Sequence, residues 1–362
     1  MQDFTAGGTH SLPNKLRKTT GNPDIDRRIR ELVATFGCEP ECELIEQLVM
    51  TNYKLAKDKI TTADLKMLNR SMNELRYAAR VFANYRGIRK VSVFGSARTA
   101  ETDPAFAAAA EFAEKMVGHG FMIITGGGDG IMGAAQRGAG AEKSFGLNIR
   151  LPFEQAANPI ITGDPKLITF NYFFTRKLNF VKESHAIVLF PGGFGTMDEG
   201  FEALTLIQTG KSRIIPLVLV DAPGGTYWQS WLRFLQEHLE GRGLISAEDF
   251  ALFHIATSVD DAVEAVRRFY RNYHSYRWVG HRMIIRIHRR LSEFGIEKLN
   301  ADFDDLLASA RIAQGRALPE EKNEPDLAEM PRLILHPHQR NFGRLRMMLD
   351  AINEAELEEQ QK

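Results

Sequence analysis

From residue 90 onward one pattern repeats: a short apolar run, a turn rich in small residues, then a stretch of helical length. The runs fall at 91–94, 121–125, 147–151, 186–190 and 214–220, and the stretches between and after them at 104–118, 131–141, 174–182, 197–208, 228–239 and 260–270. Continuous apolar runs, as opposed to alternating ones, mark strands buried on both faces. Strands separated by helices must cross over and so run parallel. The expected fold class is therefore α/β and Rossmann-like, a mainly parallel sheet covered by helices on both faces. Asp103 followed by Pro104 is a good start signal for one of those helices.

The flanks read differently. After a polar start, 23–36, 41–58 and 65–85 have helical periodicity, the last through Leu65, Leu68, Met72, Leu75, Ala79 and Phe82, giving a helical N-terminal arm. Past Arg271 the rhythm stops. Residues 282–291, alternating around Ile285 and Ile287, a short apolar run at 333–335, a helix at 342–352 and a loop or linker rich in Pro, Glu and Asp at 317–331 predict a small α+β appendage. The expected organisation is 1–89, 90–270 and 271–362. Arg286, His288, Arg289 and Arg290 read as a solvated strand face and not as a nucleic-acid patch.

Lys plus Arg and Asp plus Glu both number 46, so no global field favours nucleic acid as a partner and any anion site must be local. No apolar stretch approaches a membrane span and no leader is evident, so no membrane partner and a cytoplasmic location are expected. Cys38 and Cys42 lack a second ligand pair and a nearby histidine, and read as ordinary thiols; no metal is expected.

In an open parallel sheet, ligands bind beyond the carboxyl ends of the strands. Three loops there are rich in small residues. Gly95 and Ser96 follow the first strand, and Gly126, Gly127, Gly128, Gly130 and Gly133 follow the second. The latter contain a G-x-G-x-x-G, but no acidic ribose ligand lies about twenty residues on, where the chain reads Gly146 to Arg150, which weakens a nicotinamide reading. The third is Pro191-Gly192-Gly193-Phe194-Gly195-Thr196-Met197-Asp198-Glu199. Its glycines let the backbone close on a phosphate, helix N–H groups would point at it, and Thr196 adds a hydroxyl. Glu199 could simply favour the helix dipole from the first turn; beside an anion cradle it is better placed to act on another part of the ligand. Upstream, Arg176 and Lys177 open a helix, where Arg176 could grip phosphate or ribose; taken alone, the two read rather as a surface basic pair.

With the Arg-Lys pair and P-G-G-x-G-T-x-x-E in place, the chain resembles the LONELY GUY (LOG) family, in its longer bacterial branch, over about residues 90–270. That family was once catalogued as possible lysine decarboxylases. The resemblance implies a phosphoribohydrolase that cleaves nucleoside 5′-monophosphates, AMP or its N6-modified cytokinin-type derivatives, to free base and ribose 5-phosphate. It needs no cofactor and is built as a homo-oligomer on a dimer. The family's motif arginine and glutamate correspond to Arg176 and Glu199, expected to be catalytic, and its motif glycines and threonine to Gly192, Gly193, Gly195 and Thr196; with Gly95, Ser96, Gly127, Gly128, Gly130 and Lys177 these are expected to bind substrate. Asp198 stands where many short members carry glutamate. Decarboxylation by pyridoxal phosphate fits poorly, since Lys177 lacks the surroundings of a Schiff-base lysine. A non-catalytic nucleotide sensor and, more distantly, an NAD(P)-dependent oxidoreductase are the competing readings.

Overall fold

The computed structural model describes residues 19–152, 156–338 and 340–359, so the polar start up to residue 18 lies outside it. The chain divides into two compact units, Gly8–Tyr77 and a larger one from Ala78 onward. The first is helical: α1 (Pro23–Ala34), α2 (Cys42–Lys57) and most of α3 (Thr62–Ala83). Asn22 caps α1, its side chain accepting from the backbone of Asp24 and Ile25, and Pro23 pre-sets the first turn. Ile29, Val33 and Met50 form a small core, against which the free thiols Cys38 and Cys42 pack with their sulfurs 2.7 Å apart. Contact with Cys38, together with burial, pushes the Cys42 thiol up to about 11.

The larger unit opens with β1 (Lys90–Phe94), α4 (Pro104–Gly118), β2 (Met122–Thr125), α5 (Ile131–Ala139), β3 (Ser144–Ile149), β4 (Leu167–Phe170), α6 (Phe173–Glu183), β5 (Ala186–Leu189), α7 (Phe194–Gln208), β6 (Leu217–Val220), α8 (Tyr227–Phe234), β7 (His254–Ala256) and α9 (Val259–Phe269). All seven strands are parallel, in the order β4-β3-β2-β1-β5-β6-β7. β1, β2, β5 and β6 are buried along their whole length, which is why they read as unbroken apolar runs. The chain grows outward from β1 to β4, then returns to start again at β5. The strand order reverses between β1 and β5, the switch point at whose carboxyl ends ligands bind in folds of this kind. α4 packs beside α5 and α9; with crossovers of the usual right hand, the reversal of direction at β5 places α7 on the opposite face. The parallel α/β sheet with helices on both faces, the helical arm and an α+β C-terminal region are all present.

Both edge strands, β4 and β7, are absent from the sequence reading. They are four and three residues long, are not buried throughout and carry Thr169 and His254, so neither shows a continuous apolar run. β6 begins at Leu217 and not at residue 214, because Pro216 breaks the ladder before it.

The C-terminal region holds β8 (Tyr273–Val279), β9 (Arg282–Ile287), α10 (Glu293–Asp302), β10 (Leu307–Gly315), β11 (Arg332–Pro337) and α11 (Phe342–Glu354), its four strands antiparallel in the order β10-β11-β9-β8. α11 is stitched back to the end of α9: the Asn353 side-chain oxygen accepts from the backbone N–H of Asn272 and Tyr273, each at 2.8 Å, and its amide donates to the Phe269 carbonyl at 2.7 Å. Two expectations are corrected here. Arg286 does not belong to a solvated face; it is fully buried, paired with Glu321 at 2.7 Å and Glu324 at 2.5 Å, while His288, Arg289 and Arg290 are exposed. Nor is 317–331 a plain linker. Its two short helical turns, Pro319–Glu321 and Pro325–Leu327, fold over β9 and β11 and deliver the carboxylates that neutralise Arg286 and Arg332. A buried guanidinium without such a partner would be prohibitively costly, so the acidic segment must close on the sheet.

Candidate active site

The three glycine-bearing loops meet at the β1/β5 switch point. Ser96 N–H donates to the Pro191 carbonyl at 3.1 Å, tying the loop after β1 to the loop after β5, and Ile131 N–H donates to the Ser96 carbonyl at 3.1 Å, tying in the loop after β2. Close approach accounts for the small residues. A Cβ on Gly95 would sit 2.6 Å from the Ile131 side chain, and one on Gly126 would sit 2.5 Å from a terminal nitrogen of Arg176. Gly127 and Gly130 also turn through positive φ, +76° and +61°.

The loop after β2 is held from behind by a residue that sequence reasoning missed. The buried Asn158 amide donates to the carbonyls of Gly127 at 3.1 Å, Gly128 at 2.9 Å and the Gln136 side chain at 2.5 Å. Gln136 in turn donates to the Phe145 carbonyl at 3.1 Å. Asn158 precedes Pro159, a turn signal, but nothing local says that its amide reaches back thirty residues.

At the third loop, α7 starts at Phe194, three residues before its expected start at 197. Glu199 therefore lies in the second turn, not the first, and the dipole explanation for its presence weakens. The N–H groups of Phe194 and Gly195 are at the first two helical positions, where no intrahelical acceptor exists. Gly193 and Gly195 face open space, whereas Thr196 is buried with its hydroxyl against Gly192.

Arg176 and Lys177, neighbours on α6, diverge. Arg176 donates through Nε to the Leu147 carbonyl at 2.7 Å and lies over the Phe180 ring at 5.3 Å, which aims its terminal nitrogens at the loop after β2. Burial pulls the guanidinium below its ordinary value and Glu199 opposes that pull. Lys177 is held between Asp198 at 2.7 Å and Glu202 at 2.9 Å, one turn apart on α7. Burial works against its charge, but the two carboxylates outweigh it and hold the ammonium above the usual lysine range. An amine so stabilised as a cation is the opposite of a Schiff-base lysine, which must shed its proton.

Glu199 is 9% exposed. Burial raises its carboxyl from 4.5 to about 7 against the pull of Lys177 and Arg176, with Glu202 and Asp198 pushing the same way as burial. No ion pair joins Glu199 to Arg176 among the described residues. The site thus sets a buried carboxyl poised to ionise near neutral pH close to a guanidinium and the N–H groups that open α7, a combination suited to a substrate with a phosphate at one end and developing positive charge at the other. Among the described residues no cluster of three or more His, Cys, Asp or Glu is placed to hold a metal, and no helix is long and apolar enough to cross a membrane.

Fold and site together define a doubly wound α/β protein with its glycine-rich loops laced around the switch point. The family model described as "Possible lysine decarboxylase" matches residues 132–266. The probable cytokinin riboside 5′-monophosphate phosphoribohydrolase LOGL3 of Oryza sativa subsp. japonica is 27% identical over 167 residues, 45% of this chain and 75% of that protein. The cytokinin riboside 5′-monophosphate phosphoribohydrolase LOG1 of Arabidopsis thaliana is 28% identical over 164 residues, 44% and 73% of the two chains. Among solved structures, the molybdenum cofactor carrier protein of Chlamydomonas reinhardtii matches 50% of this chain and 97% of its own at 23% identity, with a TM-score of 0.36. Over 41–50% of its length the chain is similar to five phosphoribohydrolases of the LOG type, at 23–28% identity.

Proposed function

We propose that the protein hydrolyses the N-glycosidic bond of nucleoside 5′-monophosphates, AMP or N6-modified, cytokinin-type AMP, to free base and ribose 5-phosphate. The observation that carries this reading is the placement of Arg176 and Glu199 against the loops at one switch point. In the reaction, water adds to the anomeric carbon as its bond to the base nitrogen breaks. The ionised Glu199 stabilises the oxocarbenium character and accepts the water proton; the base leaves with the bonding pair and takes up a proton in balance with the one that water gives up, so that Glu199 ends the cycle ionised. Arg176 holds the ribose phosphate in register, and the N–H groups opening α7 take the phosphate, so that binding energy far from the reacting bond is spent on orientation. The relatives' printed activity, on cytokinin riboside monophosphates, supports the substrate class.

Purified protein incubated with a panel of nucleoside monophosphates should release base and ribose 5-phosphate, separable by chromatography. Nucleotide binding with no release on any of them would leave a sensor, not a hydrolase. Monophosphates should be cleaved at least about tenfold better than the matching nucleosides, because the cradle contributes only when a phosphate is present. Equal rates on adenosine and AMP would show that the loops do something else.

The same reading includes assembly as a homo-oligomer built on a dimer. Phe173 and Phe174 at the start of α6 are 53% and 54% exposed, Phe194 at the start of α7 is 97% exposed, and Leu178 and Phe201 extend the apolar surface beside the cradle. So much exposed aromatic surface is covered best by a second copy, which would also shield the site from water. Light scattering at micromolar concentration should give at least twice the 40.8 kDa of one chain; the single-chain mass would reject the oligomer.

A further inference from the structure

We infer that Tyr227 is a positioning residue that locks the Gly192–Gly193 peptide so that the third loop presents only N–H groups to a phosphate. The inference rests on the hydrolase reading for its kinetic consequence, but its binding consequence stands apart.

Three consecutive carbonyls in this loop are engaged. Pro191 accepts from Ser96 N–H at 3.1 Å, and Gly193 accepts from Thr196 and Met197 N–H, both at 3.1 Å. Those two are held by backbone and survive any side-chain change. The carbonyl between them, Gly192, accepts at 2.6 Å from the Tyr227 hydroxyl. A peptide flanked by glycine on both sides is the one most easily turned over, since rotation at Gly192 ψ and Gly193 φ meets no Cβ. Turned over, it would aim a carbonyl dipole at the anion and withdraw the Gly193 N–H from it. The loop needs the glycines for close approach, and the freedom they bring has to be removed from outside.

Tyr227 is itself aimed with care. Asp221, just past β6, accepts from the backbone N–H of Trp228 at 3.0 Å and from that of Tyr227, fixing the first turn of α8. Trp228 is fully buried, donates through its indole N–H to the Val220 carbonyl at 3.2 Å, and meets the Tyr227 ring edge-on at 4.8 Å. The phenol therefore reaches the glycine loop from a rigid base on the neighbouring strand. Nothing in its local sequence, Gly225-Thr226-Tyr227-Trp228, announces this role.

The test is calorimetric titration of wild type and Tyr227→Phe with ribose 5-phosphate and with adenosine, alongside melting curves and AMP kinetics. Loss of one hydroxyl–carbonyl bond predicts about tenfold weaker ribose 5-phosphate binding, unchanged adenosine binding, a raised KM for AMP with kcat largely retained, and a melting temperature close to wild type. Unchanged ribose 5-phosphate affinity in Tyr227→Phe overturns the inference. So does an equal loss for adenosine, which would signal general loosening. If wild type binds no ribose 5-phosphate, there is no cradle to lock and the inference falls. If wild type binds it but releases no base from any monophosphate, the hydrolase reading falls alone and the lock is judged on the binding arm.

Discussion

Glu199→Gln should lower kcat for AMP hydrolysis by about a hundredfold or more while leaving the fold and AMP affinity in place. The amide keeps the shape of the carboxyl but cannot carry the negative charge that the oxocarbenium-like transition state needs, nor take the proton from water. Ground-state binding, which depends on the phosphate and the loops, is untouched. The carboxyl ionises near 7, so kcat/KM in wild type should fall as pH drops below about 7, and the Gln variant should lack that limb. Stability follows the opposite sign. A carboxyl whose folded value lies above its ordinary 4.5 holds its proton more tightly when folded, so stability is lost as pH rises from about 4.5 to about 7 and is level above that. Above pH 7, Glu199→Gln should therefore melt no lower than wild type. Near-normal turnover, or an unchanged acid limb in the variant, would remove Glu199 from the chemistry.

Arg176→Ala should weaken AMP binding by roughly ten- to a hundredfold, the range for one charge-assisted hydrogen bond to a charged group, and lower kcat as well. The side chain is held by the Leu147 carbonyl and the Phe180 ring before any ligand arrives, so its orientation is already set when substrate binds. Arg176→Lys should recover little, because an ammonium on a flexible stem lacks the planar fork that engages a carbonyl and a phosphate together. A second consequence follows from the shared site. Arg176 lowers the Glu199 carboxyl, so its removal should move the acid limb of the wild-type pH profile to higher pH. Calorimetry with AMP and a pH–rate profile check both. If affinity and turnover survive, Arg176 is an ordinary helix arginine.

Much of this was legible along the chain, for reasons tied to particular residues. Strands buried on both faces must be apolar throughout, so β1, β2, β5 and β6 announced themselves. Where a backbone must pass within van der Waals contact of another, only glycine fits. Gly95, Gly126 and Gly130 stand out in the sequence because a Cβ there would meet the Ile131 side chain, the Arg176 guanidinium and the Ser96 carbonyl. The Arg-Lys pair and the P-G-G-x-G-T-x-x-E stretch carried the family resemblance for the same reason, that short-range geometry demands particular residue types.

What the chain alone could not decide were the contacts between residues distant in sequence. The periodicity of β9 puts Arg286 on one face but does not say what covers that face; the acidic segment after residue 317 folds over it and turns an apparent surface cation into a buried one. Lys177 stands among the expected substrate-binding residues, and only the fold brings Asp198 and Glu202 of α7 to it and pairs its charge there. Asn158 and Tyr227 lie in unremarkable stretches and become important only because the sheet order sets β1 between β2 and β5 and β6 beside β5, so that one reaches the loop after β2 and the other the loop after β5. Local sequence determines which backbone conformations and close approaches are allowed, because those depend on neighbouring bonds and on side-chain size. Which charges are paired, which carboxyl is raised and which loop is locked depends on burial and on distances through space, and those exist only once the strands have taken their order.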